Sequence, residues 1–268
     1  MKNQQEILSK LNIDALNPMQ ESALDAISSS NNTILLSPTG TGKTLAFLLP
    51  VLDLLDHNNP EVQVLILVPS RELAIQIEQV IRNMGTGFKV NAIYGGRAMS
   101  KDKIELKHTP AILVGTPGRI LDHFMADRFT KEHINTLILD EFDKSLEVGF
   151  EEEMTEILAE LPNLKKRILT SATEAVKIPK FVGMENPRRI NYLKKNTPSK
   201  LTISTVISEE DKLKTLVQLL KYIGEEPGII FCNLKDSIDT VSSFLSQKHI
   251  LHECFSGGME QKDRERAL

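Results

Sequence analysis

Eight residues, Ser37-Pro38-Thr39-Gly40-Thr41-Gly42-Lys43-Thr44, constrain the fold of this chain more than any other stretch. Residues 33–36 before them are apolar and partly β-branched, as in a buried strand, and residues 45–55 after them form an apolar run of helical length. A strand, a glycine-containing loop ending in Lys-Thr and a helix make a phosphate-binding loop in the context it requires. Gly40 and Gly42 permit positive φ and a close approach of backbone to ligand. The loop N–H groups and the helix N-terminus then face an anion. Lys43 adds a mobile positive charge for the outer phosphates, and the Thr44 hydroxyl can bind Mg²⁺.

The rest of the chain repeats this alternation. Runs at 64–68, 90–93, 111–114, 136–139, 167–169 and 188–192 read as further strands. Helical stripes fall between them, at Leu73, Ile77, Val80, Ile81 and Met84, and again at Met154, Ile157, Leu158 and Leu161. Pro50 is expected to kink the helix that follows the phosphate loop. Strands that are apolar on both faces and alternate with helices predict a parallel sheet in an α/β fold. Ligands of such sheets sit at the carboxyl ends of the strands. The unusual clusters all fall there: Pro69-Ser70-Arg71-Glu72-Leu73, Gly95-Gly96, Thr116-Pro117-Gly118-Arg119, Asp140-Glu141-Phe142-Asp143 and Ser171-Ala172-Thr173.

Residues 194–199 are polar and contain Pro198, so they read as a linker. The alternation then restarts. Strands are expected at 203–207, 228–232 and 250–255, with helical stripes at Leu213, Leu216, Val217 and Leu220 and at Ile238, Val241, Phe244 and Leu245. The expected division is a first domain over 1–193, the linker, and a partial second domain over 200–268.

Charge narrows the range of partners. The net charge is −4, and residues 199–268 carry 9 of the 32 Lys and Arg and 11 of the 36 Asp and Glu. Both parts are weakly acidic, which disfavours nucleic-acid binding by whole-surface attraction. Any nucleic acid must be held by helix N-termini, backbone amides and a few placed arginines. No apolar run reaches membrane-spanning length, and residues 1–11 are too polar for a signal peptide. Cys232 and Cys254, the two cysteines, lie in apolar runs and are expected to be small buried side chains in a reducing, cytoplasmic setting.

Several residues admit two readings. Asn17-Pro18-Met19-Gln20 opens a helix, and Gln20 can either reach back to the Asn17 N–H in a capping box or contact a ligand. Asp140 and Glu141 can be an ordinary acidic helix start. Beside a phosphate loop, Asp140 also fits a Mg²⁺ ligand paired with Thr44, and Glu141 the group that orients or deprotonates an attacking water. Ser171 and Thr173 can simply cap a strand end.

Taken in order with Gln20 and the phosphate loop, these clusters resemble the motifs of the DEAD-box RNA helicase family. Ile229-Ile230-Phe231-Cys232-Asn233 looks like its fourth motif, and Gln261 and Arg264 like its Gln-x-x-Arg pattern. The resemblance covers nearly the whole chain. It implies two RecA-like parallel-sheet domains, ATP and Mg²⁺ as cofactors, and ATP-dependent separation of RNA strands. It assigns Gln20 to adenine recognition and residues 37–44 to ATP. Arg71, Gly96, Thr116, Gly118 and Arg119 would lie along the RNA backbone, where amides and single arginines position phosphates without reading bases. Asp143, Ser171 and Thr173 would couple the nucleotide to domain closure.

The chain departs from the family pattern in four places. Phe142 replaces the usual alanine, and Ser37 stands where alanine is common. The aromatic residue that members place upstream of Gln20 would fall before Met1. The later Ala-Arg-Gly-x-Asp and His-Arg-x-Gly-Arg types of motif are absent before Leu268, so a truncated chain with an incomplete second domain and slow, weakly RNA-stimulated turnover is expected. A nucleotide- and RNA-binding module with little turnover is the alternative reading. A DNA-directed helicase is a third.

Overall fold

The computed structural model describes residues 4–174, 177–193, 202–208 and 211–259, in two compact units, 1–195 and 196–268. The first unit holds a seven-stranded, all-parallel sheet. Its strands are β1 (Asn32–Leu36), β2 (Val64–Leu67), β3 (Val90–Ile93), β4 (Ile112–Gly115), β5 (Thr136–Leu139), β6 (Lys166–Ser171) and β7 (Arg188–Asn191), in the order β3-β4-β2-β5-β6-β1-β7. Helix α1 (Gln4–Lys10) and the next helix precede β1, and the helices up to α8 (Glu151–Ala159) lie in the connections between strands. Every expected strand of this unit forms, within two residues of the expected ends.

The strands form because each residue finds an apolar layer on its own side. Leu35, Ile66, Val114, Ile138 and Ile168 join one cluster, with residues of α2 (Pro18–Ser29), α3 (Lys43–Leu52) and α4 (Arg71–Met84). Their chain neighbours Ile34, Leu36, Leu65, Leu67, Leu113, Leu137, Leu139 and Leu169 join the other, with residues of α6 (Pro117–Met125), α7 (Phe142–Val148) and α8. Side chains alternate across a strand, so a run that is apolar at every position needs cover on both faces. Each fully buried Leu, Ile or Val stabilises by about 1.5–3 kcal/mol relative to exposure.

The helix ends match their sequences. Ser70 caps α4 by accepting from the Leu73 N–H at 3.2 Å, and Gly85 ends it with φ +59°. Pro50 lies inside α3, which stops two residues later at Leu52. Three helices were not expected from the sequence: α5 (Met99–Glu105), α6 and α7.

The second unit corrects the expected strands. Its described residues contain two helices, α9 (Lys212–Ile223) and α10 (Lys235–Gln247), and no sheet. Asp211 caps α9 through the Leu213 N–H at 2.9 Å. The expected strands at 203–207, 228–232 and 250–255 form no ladder among the described residues, and Ile203 and Phe231 are 81% and 88% exposed. An apolar, β-branched run encodes only the tendency to extend. A strand also needs a paired neighbour about 4.8 Å away. Cys232 and Cys254 are free and half-buried, not buried as expected. The linker at 194–199, Gln261 and Arg264 lie outside the described residues.

Candidate nucleotide and nucleic-acid site

The strand order sorts the candidate residues into two neighbouring groups along one edge of the sheet. Adjacent strands β5, β6 and β1 end at Asp140-Glu141, Ser171 and the phosphate loop. On the other side of β5, β2, β4 and β3 end at Ser70-Arg71, Thr116 and Gly95-Gly96. In the sequence the second set lies between the phosphate loop and Asp140.

The loop after β1 is braced from within. Gly40 and Gly42 have φ +75° and +86°, and a side chain at Gly40 would meet open space. The Ser37 and Thr41 hydroxyls lie 2.9 Å apart, and Thr41 Oγ1 donates to the Pro38 carbonyl at 2.8 Å. Ser37, the departure from alanine, thus ties the loop across its mouth. Lys43 Nζ donates to the carbonyls of Ser37 and Pro38 at 2.7 and 3.0 Å. Burial lowers the Lys43 pKa, and the charges of Asp140, Glu141 and Asp143 oppose that change. Pro38 and Thr39 are exposed at the loop tip, and Thr44 is half-buried in the first turn of α3.

Gln20 performs the cap and touches the loop as well. Its Oε1 accepts from the Asn17 N–H at 2.9 Å, its own N–H donates to Asn17 Oδ1 at 3.0 Å, and its Nε2 donates to the Gly42 carbonyl at 3.2 Å. A Cβ on Gly42 would come within 2.5 Å of that Nε2. Asn17 Nδ2 adds a bond to the Thr41 carbonyl at 3.1 Å. Gln20→Ala keeps the Asn17 cap but removes its reciprocal bond from the Asn17 N–H, and is therefore expected to cost about 1 kcal/mol of stability and to loosen the loop. Comparison of ATP and GTP affinities separates the two roles. Loss of preference for ATP marks a ligand contact; equal change in both marks a cap alone.

The carboxylates after β5 are held unusually. Asp140 is buried and its Oδ1 accepts from Thr170 Oγ1 on β6. Glu141 adopts a left-handed conformation, φ +48° and ψ +49°, at the start of α7. A non-glycine residue held this way costs on the order of 1–3 kcal/mol and persists only where its surroundings enforce it. Here the Glu141 N–H lies 3.2 Å from both Asp140 Oδ1 and Thr170 Oγ1. Thr170 was not singled out from the sequence; nothing local marks a strand hydroxyl as the partner of a carboxylate 30 residues away.

Burial pushes the Asp140 carboxyl up to about 6; the Thr170 hydrogen bond opposes this, the Glu141 charge adds to it, and Lys43 counters. A folded pKa above the ordinary value of 3.8 means that the native state binds the proton more tightly than the unfolded chain. This contribution to stability is present below about pH 4 and is lost as pH rises towards 6; each pH unit between the two pKa values corresponds to about 1.4 kcal/mol. Asp140→Asn keeps an acceptor for Thr170 and is expected to raise thermal stability by about 2–3 kcal/mol near pH 7.5, but not near pH 4. It is also expected to lose Mg²⁺-dependent nucleotide binding. Melting curves at the two pH values test this, and equal changes at both would refute it.

A buried carboxylate with raised pKa beside a hydroxyl-bearing phosphate loop fits a divalent cation. Among the described residues no group of three or more His, Cys, Asp or Glu could hold a metal ion. Asp143 is buried; its Oδ2 accepts from Thr173 Oγ1 at 3.1 Å, and its Oδ1 has no hydrogen-bond partner. Ser171 Oγ accepts from the Thr173 N–H at 3.0 Å and donates to its carbonyl at 2.8 Å. The three residues expected to act together are thus in contact.

On the other half of the edge, the Arg71 guanidinium lies directly over Gly96, where any Cβ would overlap it, and Gly96 has φ +85°. Thr116 starts α6 without a side-chain cap, leaving the first amides of the helix to other partners. Gly118 is half-buried in its first turn. Arg119 is directed inward: Nε donates to Asp102 Oδ2 at 2.7 Å and Nη2 to the Arg97 carbonyl at 3.0 Å. Asp102, Arg97 and His123 were not singled out from the sequence, since their proximity arises only when α5 and α6 pack.

A family model described as DEAD/DEAH box helicase matches residues 17–181. The chain is 33% identical over 261 residues to the DEAD-box ATP-dependent RNA helicase RhpA of Helicobacter pylori, covering 94% of this chain and 52% of that protein. It is 33% identical over 252 residues to the ATP-dependent RNA helicase DbpA of Bacillus subtilis, covering 92% and 53%. Among solved structures, a DEAD box protein from Methanococcus jannaschii aligns with TM-score 0.64 and 28% identity over 99% of this chain and 74% of that one. The chain spans about half the length of the curated relatives it matches. With its motifs gathered on one sheet edge and the family model matching more than half of its residues, the chain belongs to the DEAD/DEAH box helicase family.

Proposed function

We propose that the chain binds Mg²⁺-ATP and RNA as part of an ATP-dependent RNA helicase in the cytoplasm, with a first RecA-like domain over 1–193, a linker over 194–199 and second-domain sequence over 200–268. The observation that carries this is the sorting of the sheet edge. Residues 37–44, Gln20, Asp140 and Glu141 form its nucleotide half. Arg71, Gly96, Thr116 and Gly118, with Arg119 beside them, form its RNA half. No helix among the described residues is long and apolar enough to cross a membrane.

Thr44 and Asp140 would hold Mg²⁺, which when bound neutralises charge on the phosphate oxygens. Lys43 leaves the loop carbonyls for the outer phosphates. Glu141, pinned by its left-handed backbone, orients the attacking water and accepts its proton. The Asp143–Thr173–Ser171 chain carries the state of the nucleotide onward. RNA is held by backbone contacts, so affinity depends on salt and hardly on base sequence.

Fluorescence anisotropy with labelled single-stranded RNA, with and without Mg²⁺-ATP, tests the proposal. RNA should outcompete DNA of the same sequence, and ATP should outcompete GTP. Equal competition by DNA would support the DNA-directed reading instead.

A further inference from the structure

The strongest unexplained feature is a fully buried carboxylate between two arginines and a histidine. Asp102, on α5, is 0% exposed. Its Oδ1 accepts from Arg97 Nε, its Oδ2 accepts from Arg119 Nε at 2.7 Å, and His123 Nε2 lies 3.0 Å from the same Oδ2. Arg97 follows Gly96 directly and also reaches Glu105 Oε2 at 2.5 Å. Arg119 and His123 lie on α6, and Arg119 Nη2 returns to the Arg97 carbonyl. The side chains of Arg97 and Arg119 are only 16% and 11% exposed. Burial alone would push the Asp102 carboxyl up, but bonds from His123, Arg119 and Arg97 outweigh it and hold it below the usual carboxylate range.

The bonds of Asp102 join two segments that are distant in sequence. One is the turn after β3 that carries Gly96; the other is the α6 N-terminus that carries Thr116 and Gly118. Arg119 donates from Nε and Nη2 inside the protein, and its side chain is only 11% exposed. A guanidinium held this way fixes direction through its planar fork, and its burial leaves little of it open to an external phosphate.

We propose that Asp102 is a positioning residue for the RNA-facing edge, locking the Gly95-Gly96 turn to the α6 N-terminus through Arg97 and Arg119, and that Arg119 is a strut and not a phosphate contact. This rests on the RNA reading above. It leads to an unusual expectation. Removing an acid from a nucleic-acid surface ordinarily tightens binding, because it frees positive charge. Here it loosens binding, because the contacts lose their geometry.

The test is anisotropy of labelled single-stranded oligouridylate on the whole chain over a salt series, for wild type, Asp102→Asn and Arg119→Gln. Mg²⁺-ATP affinity of Asp102→Asn is measured in parallel. The expected result is a loss of RNA affinity of at least about tenfold in Asp102→Asn, the scale typical of residues that orient ligand-contacting groups. ATP affinity should be unchanged and the salt slope unaltered. Arg119→Gln should weaken RNA binding with the same slope. Tighter binding by Asp102→Asn, with a slope steeper by about 0.7 per freed arginine, would overturn the proposal. So would a slope reduced by about 0.7 in Arg119→Gln, the mark of a direct phosphate contact. Joint loss of ATP and RNA binding in Asp102→Asn would show a general folding role and also overturn it. If wild type binds no RNA, the underlying RNA reading fails and the inference falls with it.

Discussion

Glu141→Gln is expected to slow ATP hydrolysis by about 10²–10⁴-fold while leaving Mg²⁺-ATP bound, the range for loss of a positioned general base. The amide preserves the shape of the side chain and cannot accept a proton. Its backbone conformation is set by the Glu141 N–H bonds to Asp140 and Thr170, which the substitution does not touch, so the α7 start should persist. Lys43→Ala should fail differently. It removes the ammonium that faces the carboxylates of Asp140, Glu141 and Asp143, and with it the charge available to the outer phosphates. Affinity falls first, and turnover falls because little nucleotide is bound. Single-turnover phosphate release with saturating single-stranded RNA, alongside direct nucleotide binding, separates the two. Equal loss of nucleotide affinity in both variants would refute this division of roles.

Phe142→Ala is expected to destabilise the first unit by about 3–5 kcal/mol, although it restores the residue common in the family. Phe142 is 0% exposed and is among the largest fully buried side chains. It shares a buried cluster with Leu36, Leu139 and Leu169, and Leu146 and Phe150 pack at the margin. Removing the ring leaves a void among Leu36, Leu139 and Leu169, which the surrounding β-strands are too constrained to fill. Typical domains are stable by only about 5–15 kcal/mol, so the loss should be plain in urea denaturation. A cost below about 1 kcal/mol would mean that α7 collapses into the space, and Glu141 should then move out of its left-handed conformation.

Features that depend on near neighbours could be read from the chain alone. Seven strands of the first unit were legible because a parallel sheet covered on both faces needs an unbroken apolar run. The phosphate loop was legible because positive φ at Gly40 and Gly42 and the charge of Lys43 occupy adjacent positions. Even the ambiguity of Gln20 was visible from the Asn17-Pro18 spacing: the structure shows the cap and adds a bond from the same side chain to the Gly42 carbonyl, and the ligand role is left to the comparison of ATP and GTP affinities.

Features that depend on which strand lies beside which were settled by the packing of the whole fold. The order β3-β4-β2-β5-β6-β1-β7 separates the phosphate loop, Asp140 and Ser171 from Arg71, Gly96 and Thr116, and no local pattern encodes that order because every strand presents the same apolar faces. Thr170 meets Asp140 only because β5 pairs with β6. Asp102 meets Arg119 only because α5 packs beside α6. In the second unit the runs at 203–207, 228–232 and 250–255 carried the same β-branched signal as β1, yet found no partner strand among the described residues. Propensity is a property of a segment, whereas a ladder of hydrogen bonds is a property of two, and that difference separates what could be read from what had to be seen.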